Sequence, residues 1–196
     1  MPLPAAHGLI GATVLSVIRK DLELRRDWPA ILIGAAIGIL PDLDLILVWG
    51  LGYPMKLHGS FTHSIVFAIA FGSALSLLLK ESSIRGVLAY IGALLSHGLM
   101  DVATKKEFGG AQLLWPFTDQ KYRMGLFSNY EFYPNPPTQS YIEILKQGFV
   151  LSLYEIAIFL PLLILILVLK TRPWKRRNAD AADEGLTNNG SNNDLK

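Results

Sequence analysis

The sequence predicts an all-α protein, a multi-pass membrane bundle of about five helices with a metal cluster at one end. Two observations predict the fold class. Of the 196 residues, 51% are hydrophobic, and the mean hydropathy of +0.35 is high for a soluble domain. The apolar residues fall into five long segments separated by polar connections, as in a protein that crosses a bilayer several times. The lipid bilayer is therefore the first partner that the sequence predicts.

Five apolar segments follow one another along the chain. They cover residues 4–18, 28–51, 61–79, 84–103 and 149–169. A membrane-spanning helix needs about 20 predominantly apolar residues, so the last four segments are long enough and the first is short. We expect the first segment to be a tilted or half-buried helix. It does not resemble a cleaved signal peptide, because no basic residue precedes it.

The connections divide the chain into a membrane-embedded domain, residues 1–173, and a polar tail, residues 174–196. Residues 104–148 form a long loop in which Gly and Pro clusters oppose regular structure. The tail has few hydrophobic residues, so we expect it to be disordered.

Composition excludes several classes of function. The chain has no cysteine, which excludes disulfides and thiolate metal sites. Its net charge is only +2, and Lys and Arg are scattered at segment ends. Nucleic-acid binding is not predicted, because it requires basic residues gathered on one face.

Lys and Arg are distributed unequally between the two sets of ends that alternate crossing predicts. One set contains eleven Lys and Arg, and the other, although far longer, contains six. The first set comprises residues 19–26, 80–85 and 170–177, and the second comprises 1–6, 52–60 and 104–148. Because cytoplasmic loops are enriched in positive charge, we expect the first set and the C-terminus to be cytoplasmic. The predicted localisation is the cell membrane, with the second set of ends outside.

All four histidines and three aspartates lie at ends that alternate crossing brings to one side of the bundle. They are His7 in the first segment, Asp42 and Asp44 in the second, His58 and His63 at the start of the third, and His97 and Asp101 at the end of the fourth. The spacing of His97 and Asp101 puts both on one helix face. Ionisable residues in membrane segments are costly and usually mark function. Seven of them together predict a metal site near the external face.

The ligand types indicate the metal. Imidazoles and carboxylates favour zinc, manganese or iron. Seven candidates exceed one tetrahedral shell, so we expect two or more divalent ions, with zinc favoured, and a bridging carboxylate. Two such ions suit phosphoester hydrolysis. Pro41 is expected to break the second segment so that Asp42 and Asp44 face one site, and Ser60 or Thr62 is expected to cap the third segment.

Three motifs at these positions resemble those of a known family. They are LPDLD at 40–44, HGSFTHS at 58–64, and SHGLMD at 96–101 followed by LLWPF. Over roughly residues 1–120, and more loosely over the last helix, the chain is similar to the YdjM-like inner-membrane family of membrane-bound metal-dependent hydrolases. The resemblance implies that the family's ligands fall on the same seven residues. Two departures are Gly59, where the family usually has Arg, and Leu45, where a His often follows the second Asp.

A more distant likeness is to the all-helical zinc-dependent phospholipase C and P1 nuclease group. Those enzymes gather His and Asp ligands, including an H-x3-D pair, around three zincs. The likeness is an analogy, and it favours phosphoesters as the substrate class.

A few further residues are candidates for catalysis or substrate binding. We expect Asp44 to orient or deprotonate the attacking water. Glu155 is alternatively a ligand, a general base or a polar contact between helices. Trp115 forms a wall of the substrate site or an interfacial anchor. Lys121 and Arg123 could contact phosphate, although a solvated loop charge is the more common role.

The function predicted from these features is that of a membrane-bound metal-dependent hydrolase acting on a small-molecule or lipid-linked phosphoester. One alternative is a metal-ion or proton transporter that uses the same ligands. A transport pathway, however, predicts polar residues along the whole bundle, whereas the seven candidates lie in one layer. The other alternative is a non-catalytic membrane protein with a structural polar network. The oligomeric state is left open.

Overall fold

The described part of the chain contains five α-helices and several short helical turns. The computed structural model describes residues 3–19, 24–81, 83–103, 110–126 and 139–171. Within this part of the chain the only β-structure is an isolated bridge between Ala111 and Tyr122. The predicted all-α fold class is confirmed. The polar tail predicted to be disordered lies outside the described residues.

The five helices correspond to the five predicted segments. They are α1 (Pro4–Ile18), α2 (Leu24–Ile39), α3 (Ile65–Leu78), α4 (Ile84–Val102) and α5 (Tyr141–Thr171). Helix α1 packs against α2, α4 and α5, and α4 also packs against α2 and α3. The core between them contains Leu15, Ala30, Ile37, Ala68, Ala89, Tyr90, Ala93 and Leu94. Most apolar side chains of α5 are exposed, as in a helix that faces lipid.

Glycines bring α1 and α2 into backbone contact. Gly34 and Gly38 lie four residues apart on one face of α2, the spacing that permits close helix crossings in membranes. A Cβ atom added at Gly38 would overlap the carbonyl oxygen of His7, and one added at Gly11 would lie 2.5 Å from the carbonyl oxygen of Gly34. The crossing therefore presses the backbone of His7 directly against the last turn of α2.

Pro41 interrupts the second segment, as the sequence predicts. Helix α2 ends at Ile39, a 3₁₀ turn follows over Leu40–Leu43, and a π-helical turn covers Ile46–Gly50. On a regular α-helix, Asp42 and Asp44 would point about 200° apart. The 3₁₀ turn instead brings both carboxylates to the same end of the bundle, where each contacts His63.

The start of α3 differs from the prediction. Neither Ser60 nor Thr62 caps this helix, because residues Phe61–His63 form a separate 3₁₀ turn before it. The hydroxyl of Ser64 accepts a hydrogen bond from the N–H of Phe67, at 3.0 Å, and is the N-cap. The prediction of a Ser60 or Thr62 cap is therefore wrong. The hydroxyl of Thr62 instead contacts Asp44 and the ring of His63.

Helix α5 begins eight residues earlier than the predicted segment, at Tyr141 instead of Phe149. The cause is a capping box between Ser140 and Glu143. The backbone N–H of Ser140 donates to Oε2 of Glu143, at 2.8 Å, and the N–H of Glu143 donates to Oγ of Ser140, at 3.3 Å. The long loop is correspondingly shorter than 104–148.

Length and apolar composition qualify two or three elements of the described structure as membrane spans. The two are Arg26–Val48 and Tyr141–Lys170, and a bent pair, Met55–His63 with Ile65–Leu78, would be a third. The pair is bent by 59°. Helix α1 is a shorter apolar helix, as predicted, and α4, which carries His97 and Asp101, is not in this group. Five alternating crossings therefore stay a prediction.

The predicted orientation can be tested by cysteine labelling, because the natural chain has no cysteine. Lys56, Leu79 and Gln120 are exposed, so each can be replaced by Cys in a separate variant. We expect a membrane-impermeant maleimide to label positions 56 and 120 only in right-side-out vesicles, and position 79 only in inverted ones. The opposite pattern would contradict the orientation alone. Labelling of all three from one side would contradict alternate crossing.

Candidate metal centre

The structure brings all seven predicted ligands together at one end of the bundle. Helix α1 supplies one of them, the turn after α2 two, the residues before α3 two, and α4 two. They are His7, Asp42, Asp44, His58, His63, His97 and Asp101, and each is at most 8% exposed. Alternation of helix direction is therefore sufficient to predict which residues meet.

The ligand atoms form two groups that share one residue. In each group the atoms lie within 4.8 Å of one another. One group comprises Asp42, His58, His63 and Asp101, and the other comprises His7, Asp42 and His97. Asp42 belongs to both groups, so its carboxylate would contact both ions if each group held one.

Distances within the centre suit a shared cation. Nε2 of His97 is 3.3 Å from Oδ1 of Asp42 and 3.4 Å from Oδ2 of Asp101. Nε2 of His7 is 3.6 Å from Oδ1 of Asp101, and Nε2 of His63 is 3.1 Å from its Oδ2. Hydrogen bonds of the N–H···O type are about 2.7–3.2 Å long. Two ligands of one tetrahedral zinc, each about 2.0–2.2 Å from the ion, lie about 3.3–3.6 Å apart. The pair of His97 and Asp42, which belongs to one group, has this spacing, and the two contacts that Asp101 makes with His7 and His97 show that the groups adjoin.

The protonation of His97 leads to the same conclusion. Its Nδ1 lies 2.7 Å from the carbonyl oxygen of Gly38. A carbonyl only accepts hydrogen bonds, so Nδ1 carries a proton and the neutral ring has its lone pair at Nε2. That lone pair faces carboxylate oxygens of Asp42 and Asp101. Nε2 of His97 also lies 3.0 Å from Nε2 of His63. A cation held by these groups would make the arrangement favourable, because it would accept the lone pair and offset the carboxylate charge.

Buried polar atoms of the centre lack hydrogen bonds. Among the described residues, neither ring nitrogen of His7 and neither carboxylate oxygen of Asp42 has a hydrogen-bond partner. Burial of such groups without a partner is costly, and buried polar atoms are nearly always satisfied. A divalent ion accepts electron pairs from both residues, so the side chains present fit a metal.

Two of the histidine rings are oriented by an oxygen atom that contacts Nδ1. The carbonyl of Gly38 holds Nδ1 of His97, and Oδ1 of Asp44 lies 2.8 Å from Nδ1 of His58. The other oxygen of Asp44 accepts a hydrogen bond from the hydroxyl of Thr62, at 2.9 Å. Metal-ligating histidines usually have a carboxylate or carbonyl on the second ring nitrogen. Asp44 thus contacts Nδ1 of His58 and belongs to neither ligand group. Sequence reasoning missed the Gly38 contact, since a backbone carbonyl leaves no side-chain signal.

Glu155 of α5 contacts the start of α1 and belongs to neither group of ligand atoms. Its carboxylate accepts hydrogen bonds from the backbone N–H groups of Leu3, at 2.6 Å, and Ala6, at 3.1 Å. A negative charge is favourable at a helix N-terminus. This geometry supports the interpretation of Glu155 as a contact between helices, one that fixes the turn of α1 next to His7.

The loop candidates occupy different environments. Trp115 packs against Phe61, with ring centroids 6.0 Å apart. Arg123 is exposed. Lys121 is half-buried, and its ammonium donates a hydrogen bond to the carbonyl oxygen of His58, at 2.6 Å. The structure therefore separates two loop cations that the sequence treats alike.

Comparison with known families identifies the chain. The sequence model described as YdjM inner membrane protein matches residues 1–179. The chain belongs to the YdjM inner membrane protein family. The family resemblance stated from the motifs is confirmed, and the YdjM match extends beyond residue 120 to include α5. Comparisons with curated proteins and with solved structures found no match.

Membership of the YdjM family agrees with the apolar helices of the fold, and it makes the chain an inner-membrane protein. The matched region contains every ligand of the centre as well as Glu155. The family domain therefore includes the contact by which α5 holds the start of α1.

Proposed function

We propose that this YdjM family member is a membrane-bound metal-dependent hydrolase of phosphoesters that binds two divalent ions, with zinc favoured. The observation that carries the proposal is the sharing of Asp42 by two buried groups of ligand atoms. Two ions held about 3.5–4 Å apart lower the pKa of water and stabilise charge on the attacking and leaving oxygens of a phosphoester.

The protein's own residues hold and orient the centre in this proposal. Asp44 keeps Nδ1 of His58 occupied, and the Gly38 carbonyl does the same for His97. Both rings can therefore present Nε2 to the centre in one tautomer. Because both oxygens of Asp44 are engaged, we assign it the orientation of His58 in place of direct proton abstraction.

Exposed apolar side chains next to the centre support a lipid-linked substrate. The loop after α4 exposes Leu114, Phe117, Met124 and Leu126. The backbone N–H groups of Met124 and Leu126 bond to the carbonyls of Val102 and Ala103, at 2.6 and 2.8 Å. These carbonyls directly follow Asp101, so apolar groups that can enter the membrane surface lie beside the ligands.

The proposal predicts metal-dependent turnover of phosphoesters by the full chain in detergent. We expect hydrolysis of aryl phosphates, phospholipids or undecaprenyl-type phosphates to stop with chelator and to return when zinc or manganese is added. Release of inorganic phosphate measures the turnover of monoesters, and separation of the lipid products measures that of phospholipids. Peptides serve as a control that should not be cleaved.

Two outcomes would contradict the proposed hydrolase. Metal-loaded protein that hydrolyses none of these compounds but moves zinc across liposome membranes would identify a transporter. Protein that binds no zinc or manganese after incubation with either would exclude both functions and favour a structural polar network.

A further inference from the structure

Lys121 lies at the edge of the metal centre. The short β-bridge between Ala111 and Tyr122 folds the loop back on itself, and the N–H of Gln112 donates to the carbonyl of Gly59, at 2.8 Å. The loop therefore runs along the chain next to His58. The Lys121 ammonium reaches the carbonyl oxygen of His58, at 2.6 Å.

Gly59 allows the backbone of Gly110 and the ammonium of Lys121 to approach closely, at 2.7 and 3.2 Å from the position of a Cβ atom. Its φ angle is +76°, a conformation that side-chain-bearing residues rarely adopt. The position next to a ligand histidine thus lies beside a cation from a distant part of the chain.

The ammonium has capacity for a ligand. A lysine ammonium has three N–H donors, and the bond to His58 uses one. Two N–H donors remain for a ligand, and Asp101 and Asp44 lie near enough for their charges to act on this ammonium.

Charge balance indicates what such a ligand would be. Two divalent ions carry four positive charges, and Asp42, Asp44 and Asp101 neutralise three of them when the histidines are neutral. The ammonium of Lys121 raises the surplus to two. A phosphate ester with one or two negative charges fits this surplus, whereas a neutral ester or peptide does not.

We propose that Lys121 is the phosphate-binding residue of this centre and that its ammonium donates to a non-bridging oxygen of the substrate phosphate. The inference rests on the proposed hydrolase function. In it, the ammonium of Lys121 makes the enzyme selective for anionic esters. The same phosphate chemistry occurs in a lipid headgroup and in a soluble ester.

The test measures binding of inorganic phosphate to the zinc-loaded full chain in detergent by titration calorimetry. Lys121→Met should weaken phosphate binding about 10- to 100-fold, as expected for loss of one charge-assisted hydrogen bond, and Lys121→Arg should largely restore it. Lys56→Met is the matched control, because Lys56 is an exposed lysine two residues before His58, and it should bind phosphate as the natural chain does. Zinc content is measured in parallel and should not change.

A second titration with short-chain phosphatidic acid distinguishes the source of the phosphate. Equal weakening of the binding of both ligands by Lys121→Met would place the contact on the phosphate group itself, and weakening of both that is larger for the lipid would identify a lipid headgroup as the source. Unchanged phosphate binding in Lys121→Met would overturn the inference and leave the hydrolase proposal intact. Loss of zinc together with phosphate would also overturn it, since Lys121 would then only position His58. A natural chain that binds no zinc would instead refute the proposed function.

Discussion

Replacing Asp42 by Asn should remove both metal ions and abolish hydrolysis, because Asp42 belongs to both groups of ligand atoms. We expect the purified natural chain to carry about two divalent ions and Asp42→Asn to carry almost none. Metal affinity should fall by more than about 100-fold, the upper range for loss of a residue that only orients a ligand. Elemental analysis of detergent-purified protein measures both values.

Variants that affect one group, or none, serve as controls. His58→Gln and His7→Gln each alter a single group, so each should retain about one ion. Asp119→Asn changes an exposed loop carboxylate and should retain both. If Asp42→Asn keeps two ions per chain, Asp42 is not the shared ligand.

The second large effect is expected for Gly38→Ala. The added methyl group would overlap the carbonyl oxygen of His7, so α1 must move away from α2. Overpacking of this kind costs about 1–3 kcal/mol of the free energy of unfolding. His7 would also leave its stacking position on His97, where the ring centroids are 3.7 Å apart. We expect a lower melting temperature in detergent and loss of the ion in the His7 group.

Gly50→Ala is the control for this prediction. A Cβ atom at Gly50 would meet only Cγ2 of Ile46, at 3.8 Å, which is an ordinary contact. Stability and metal content should therefore match the natural chain. A Gly38→Ala protein that melts at the natural temperature with both ions bound would disprove the close crossing of α1 and α2.

Much of the centre is predictable because it depends on helix direction alone. Segments that alternate in direction bring His7, His63 and His97 to one end whatever their exact packing. The break before Asp42 is also predictable, since Pro41 cannot continue a helix. Side-chain type and periodicity are sufficient for these conclusions.

The individual roles are less predictable because they depend on contacts distant in sequence. The motif LPDLD presents Asp42 and Asp44 alike. Only the 3₁₀ turn makes Asp42 the residue that both ligand groups share and places Asp44 against Nδ1 of His58. Lys121 and Arg123 are equivalent loop cations until the loop folds against His58. The early start of α5 did have a local signal, the capping pair Ser140 and Glu143, outside the apolar run that defined the segment.

The bond between Glu155 and the first turn of α1 has a consequence for biosynthesis. Synthesis runs from the N-terminus, so Leu3 and Ala6 are translated well before Glu155, and the histidines and aspartates of the centre lie between them in the chain. The first turn of α1 therefore gains this support only when α5 has been made and packed beside it. A chain whose synthesis stops before α5 would have the start of α1, next to His7, unanchored.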